Sequence, residues 1–206
     1  MRYLVFMPQD EVALGNVYKS LSNITPELDD NVGVLIWTDK EDLYLSARND
    51  GEEYLDGAEY SDYRVIFSEA DKKVDMIKDS IYQTSGSVVL VNPEHVLGFG
   101  CISSLYFSGR IYKYGFFAAQ PHNECIDCLD LYDETLVKKV PLDGHEMIGE
   151  DIYMVDNTFD ATYLVKMDNF RKYWFDDGNL GVYLRRLGYC NFIDKSINIT
   201  KRTKNG

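Results

Sequence analysis

Three soft ligands crowd one short stretch: His122, Cys125 and Cys128. An imidazole and two thiolates at this spacing can place three donors around zinc, with His145 or Glu124 as a fourth. Structural zinc sites usually bring two separated knuckles, and the sequence has no second Cys-x-x-Cys. Zinc is therefore the one cofactor suggested, and the thiols otherwise read as ordinary buried or surface groups. A redox dithiol at Cys125-Ile126-Asp127-Cys128 would need a lowered thiolate pKa. The neighbouring acids Glu124, Asp127 and Asp130 push the other way. A nucleophilic Cys101 would need His95, His122 or His145 as its base, and no local signature pairs them.

Carboxylates form the second constellation. Asp56, Glu59, Asp143, Glu146, Glu150 and Asp151 gather around two Leu-Asp-Gly segments. Paired acids bind Mg²⁺ or exchange protons. Asp-Gly is also ordinary turn chemistry, and charge keeps a turn wet. In a binding protein the same six acids would face a partner with a basic surface. Phosphate cradles are missing from the sequence: it holds neither Gly-x-Gly-x-x-Gly nor a P-loop.

Net charge narrows the partners. Among 206 residues, 21 Lys and Arg face 34 Asp and Glu, a net of −13. Residues 1–165 hold 12 basic and 30 acidic side chains, net −18, and residues 166–206 hold 9 and 4, net +5. Such a body repels nucleic-acid phosphate, so direct nucleic-acid binding is not expected. The 16 tyrosines suit a contact surface as well as a sheet-rich core. Four cysteines are too few for a disulfide scaffold, and no apolar run reaches membrane-spanning length. The apolar start at Tyr3–Met7 meets Pro8 and Asp10 too early for a secretory signal, so a cytoplasmic, intracellular protein is expected.

The elements that must position these groups follow from periodicity. Residues 2–7 read as a buried strand and 8–22 as an amphipathic helix through Leu14, Val17, Tyr18 and Leu21. Val32–Thr38, Asp42–Ala47 and Tyr63–Phe67 read as strands of a meander, with Asn49-Asp50-Gly51 as a hairpin turn. Ser68 reads as an N-cap for a helix through Val74, Ile77 and Ile81. Ser87–Val91 is a strand, Asn92-Pro93-Glu94 a helix start, and Val96–Phe107 a buried helix. A hairpin through Ser108-Gly109 is the rival for that last stretch. Strands are expected at Ile111–Ala118 and Ile152–Val155, and helices through Tyr163, Met167, Phe170 and Trp174 and through Leu180, Tyr183, Leu184 and Leu187. The final dozen residues are expected to fray.

A faint internal repeat accompanies these elements. Leu4-Val5-Phe6-Met7-Pro8 resembles Val89-Leu90-Val91-Asn92-Pro93, Asp42-Leu43-Tyr44 matches Asp130-Leu131-Tyr132, and Leu55-Asp56-Gly57 matches Leu142-Asp143-Gly144, displaced by 85 to 88 residues. The expected fold is α+β: antiparallel meander sheets with four to five helices, in two quasi-repeated lobes at 1–85 and 86–206, or one compact domain.

The meander strands, Val88–Val91, Asn92-Pro93-Glu94, Leu105-Tyr106 and Gly115-Phe116 together resemble a GNAT acetyltransferase over about residues 1–118. That resemblance implies a glycine-rich coenzyme A loop where this chain has Ser68-Glu69-Ala70-Asp71-Lys72-Lys73, without glycine and with two acids. No site residue carries over. The leading expectation is an acidic interaction protein, an inhibitor or decoy for a basic nucleic-acid-handling protein. A small acyltransferase of that topology is the alternative.

Overall fold

The computed structural model describes residues 2–24, 32–50, 53, 62–81, 86–111, 115–119, 152–155, 162–166, 190–194 and 196–202. The chain opens β1 (Arg2–Phe6), α1 (Glu11–Ile24), β2 (Val32–Thr38), α2 (Glu41–Asp50), β3 (Asp62–Phe67), α3 (Lys73–Ile81, after a 3₁₀ turn at Ala70–Lys72) and β4 (Ser87–Val91). It continues through β5 (His95–Leu97), α4 (Cys101–Ile111), β6 (Gly115–Ala119), β7 (Ile152–Val155), β8 (Thr162–Lys166), β9 (Cys190–Asp194) and β10 (Ile199–Lys201). One sheet runs β3-β2-β1-β4-β8-β6-β9-β7, and a separate pair joins β10 to β5.

The expected antiparallel meander is overturned. β1 pairs in parallel with both β2 and β4, and β2 pairs in parallel with β3. Helices fill every connection in this block, as parallel pairing requires. The fold is α/β, a mostly parallel four-stranded block with four helices among the described residues. All seven residues of β2 are buried, as expected of a parallel strand covered on both faces. β8 runs antiparallel to β4 and β6, β9 returns parallel to β6, and β7 reverses at the far edge.

Side chains on β3 show the layering. Tyr63 donates its hydroxyl to the Ala47 carbonyl on α2 at 2.7 Å. Its neighbour Arg64 donates to the Ser80 carbonyl on α3 at 2.7 Å. Adjacent strand residues point to opposite faces, so α2 and α3 cover opposite faces of the sheet. On the α2 face, Leu4, Phe6, Val34 and Ile36 pack with Leu14, Val17 and Leu21 of α1 and Leu43 and Ala47 of α2. On the other, Lys73 of α3 lies over the Trp37 ring, 5.2 Å from its centroid.

Local corrections share one cause: short apolar runs do not say what they pair with. Asp42–Ala47 lies in α2, not in a strand, and Asn49-Asp50 are its last residues rather than a hairpin turn. Asn92-Pro93-Glu94 starts no helix; it is a turn into β5, which takes Val96 and Leu97. Ser108-Gly109 lies inside α4, so the rival hairpin is absent, and Ile111 ends that helix instead of opening a strand. Tyr163 belongs to β8, not to a helix. Met167, Phe170, Trp174 and the helix read through Leu180–Leu187 lie outside the described residues. Among the closing dozen residues, Ile199–Lys201 form β10 where fraying was expected. Ser68 caps nothing; its hydroxyl accepts from the Trp37 indole at 2.7 Å.

The first match of the internal repeat falls on neighbouring strands, with Leu4 opposite Val89 and Phe6 opposite Val91. Asp42-Leu43-Tyr44 is helical, and its counterpart and both Leu-Asp-Gly segments lie outside the described residues.

Candidate functional site

Strand order decides where a ligand can sit. The chain steps from β1 to β2 to β3 in one direction, then crosses by α3 to place β4 on the other side of β1. In open parallel sheets such a reversal leaves a crevice outside the carboxyl ends of the strands, where ligands bind. The loops there begin at Met7 after β1, Asp39 after β2, Ser68 after β3 and Asn92 after β4.

The loop after β1 closes the head of α1. Asp10 accepts from the Ala13 amide at 2.9 Å, so its own carboxylate satisfies the helix N-terminus. Gln9 donates to the Met7 carbonyl at 3.2 Å. The Lys40 ammonium donates to the Gln9 carbonyl and ties the loops after β1 and β2 together. With no glycine between Met7 and Asp10 and an acid on the cap, this turn cannot hold a phosphate against the backbone.

Asp39 follows β2 directly. Its Oδ1 is fully buried and accepts no hydrogen bond among the described residues. A buried oxygen in that state costs free energy, which makes Asp39 the unfilled acceptor at the carboxyl rim of the sheet among the described residues.

The loop after β4 is the most tightly held. The Asn92 side-chain oxygen accepts from the Glu94 amide at 2.8 Å. Asn16, buried on α1, donates to the carbonyls of Pro93 at 3.0 Å and Arg202 at 3.2 Å. The Arg202 amide donates to the Glu94 carbonyl at 2.7 Å, and the Glu94 carboxylate pairs with Lys201 at 3.0 Å. Next in the chain, His95 is buried with its Nδ1 2.9 Å from the Thr162 hydroxyl on β8. Burial first, then the nearby Lys201 charge, depress its pKa from 6.5 to about 4, against a smaller opposing effect of Glu94. The ring is therefore neutral at physiological pH.

None of the six acids or three soft ligands singled out in the sequence is among the described residues: His122, Cys125, Cys128, Asp56, Glu59, Asp143, Glu146, Glu150 and Asp151 all lie outside them. Cys101 is buried in the core among Leu97, Ile102 and Leu105. Among the described residues no three His, Cys, Asp or Glu side chains group to hold a metal ion, and no helix is long and apolar enough to cross a membrane. Sequence reasoning missed Asp39 and Lys201. Asp39 was legible as an acid one residue beyond the apolar run Val32–Trp37, and Lys201 was hidden in a tail read as frayed. No protein-family model matches the chain, and no curated protein matches it.

Proposed function

We propose that the chain binds a nucleoside diphosphate at the carboxyl rim of the sheet beside β1 and β4. The observation that carries this reading is Asp39: a buried carboxylate oxygen lacking a donor, placed after the second strand of a 3-2-1-4 parallel block. In nucleotide-binding sheets of this order an acid near that rim accepts from ribose hydroxyls. A hydride carrier is disfavoured, because its dinucleotide pyrophosphate needs the glycine turn that Met7–Asp10 lacks.

The test is a thermal-shift panel of nucleoside 5′-diphosphates. A ligand at about 100 times its Kd should stabilise the chain by roughly 2.7 kcal/mol. Asp39→Ala should abolish the shift while leaving the ligand-free chain as stable as before or more so, because it removes an unfilled acceptor. A panel with no shift would count against the reading.

The acidic interaction protein stands as a second reading, favoured by the split between a −18 body and a +5 end. It binds a basic partner by long-range steering, with tyrosines as contacts. Charge reversal at Asp143, Glu146, Glu150 and Asp151 should then weaken partner capture and flatten its salt dependence. An acetyltransferase is not carried forward, because the strands that gave that resemblance run parallel.

A further inference from the structure

We infer that the base of the bound nucleotide stacks on Phe67 at the end of β3, so that the nucleoside lies across the β2–β3 end of the rim and the diphosphate points toward β1 and β4. This rests on the nucleotide reading above and adds to it the direction of the ligand and the residue that holds its base.

Strands of a parallel block are covered on both faces, and β2 follows that rule at every position. Phe67 departs from it. It ends β3, it is 47% exposed, and it is the one exposed large apolar side chain on a strand of the block among the described residues. The ring does not stand alone. Tyr44 of α2, itself partly buried, lies 5.8 Å away between centroids. Arg48, one turn along α2, donates to the Tyr44 hydroxyl at 3.2 Å and steadies the far end of that ring.

The backbone brings this pair beside Asp39. Phe67 is in register with Thr38, the residue before Asp39, and the Ser68 amide donates to the Thr38 carbonyl at 3.3 Å. The Tyr44 amide donates to the Lys40 carbonyl at 3.0 Å, so Tyr44 closes the first turn of the helix that Asp39 leads into. Alternation along β3 puts Phe67 on the same face as Tyr63, which reaches Ala47 of α2. Tyr63 therefore meets the later part of α2, and Phe67 meets its start, at the rim. Adjacent strands lie about 4.8 Å apart, so the end of β3 is one strand spacing beyond the end of β2. A base joined to a ribose at Asp39 spans that step.

Charge sets the direction. Glu41 and Asp42, both exposed, open α2 next to Asp39. Lys40, among them, is bonded to the Gln9 carbonyl of the loop after β1. Three carboxylates within residues 39–42 repel a diphosphate. The uncharged base is the part of the ligand that suits this end, and an aromatic face takes any base by stacking.

The experiment measures binding of the nucleoside 5′-diphosphates by isothermal titration to the intact chain and to Phe67→Ala, Phe67→Leu and Phe67→Trp. Circular dichroism of each variant verifies folding. Phe67→Leu keeps an apolar side chain against Tyr44 but no flat face, so it carries the test if Phe67→Ala unfolds. The expected result is roughly tenfold weaker binding for the Ala and Leu variants, and affinity near that of the intact chain for Phe67→Trp. Equal affinity in the intact chain and Phe67→Leu, or equal loss in Phe67→Leu and Phe67→Trp, overturns the base assignment and leaves the nucleotide reading standing. Failure of every diphosphate to bind the intact chain overturns the nucleotide reading and the assignment with it.

Discussion

Tyr3, Gly33 and Asp62 lie in register on β1, β2 and β3, and one hydrogen bond joins the outer two. The Tyr3 ring crosses Gly33 to donate to Asp62 at 2.7 Å. A Cβ on residue 33 would sit 2.5 Å from that ring, so only glycine fits. Gly33→Ala should cost about 1–3 kcal/mol through overpacking, read as a lower urea midpoint at constant m-value. Burial and then the Asp62 hydrogen bond push the Tyr3 hydroxyl up to about 12, so it stays protonated and the bridge holds across the working pH range. His95 behaves in the opposite sense. Its folded-state pKa is depressed, so the unfolded chain takes up the proton first as pH falls. Its contribution is whole above pH 6.5 and is lost as pH falls through that value toward about 4. The loss is on the order of 3 kcal/mol. Urea unfolding at pH 7.5, 6 and 5 should show that slope, and His95→Gln should flatten it. An unchanged slope in the variant would place the proton uptake elsewhere.

At the scale of elements, the lesson lies in what apolar runs conceal. Val32–Thr38 is buried at every position, and continuous rather than alternating burial is the mark of a strand covered on both faces. That signal was present and pointed to a parallel sheet. Strand positions for β1, β2, β3 and β4 were legible, and so were α1 and the body of α3. The direction of pairing was not, because it depends on whether each connection is a turn or a helix. The deciding connection was α2: Leu43 and Ala47 are its buried pair at i and i+4, yet Leu43, Leu45 and Ala47 also alternate as a strand would. Exposed Leu45 completed the misleading period. β10 was missed for a different reason. Three residues show no period, and its stability comes from β5, Asn16 and Glu94, all distant in sequence. Asn16→Ala should therefore act locally. Two carbonyls lose their donor, costing on the order of 2 kcal/mol, and hydrogen exchange should quicken at the Arg202 and His95 amides while β1 and β2 stay protected. Uniform quickening would show that the clamp is not a separate unit.

For the whole molecule, the account joins a parallel block, a crevice at its strand reversal and an acidic body. None of the acids or soft ligands with recognisable spacing lies among the described residues, so none of them contributes to the rim described above. Asp39 gains its meaning from the strand order, which brings the ends of four separate strands to one rim. Lys201 gains its meaning from pairing with a loop more than a hundred residues upstream. The central claim is that Asp39 receives a nucleoside. It is tested most directly by titrating the nucleoside 5′-diphosphates into the intact chain and into Asp39→Ala at one salt concentration. The account predicts a saturable isotherm for at least one diphosphate and at least tenfold weaker binding in a variant that melts no lower. Equal affinity in the two proteins, or no heat of binding at millimolar ligand, would contradict it.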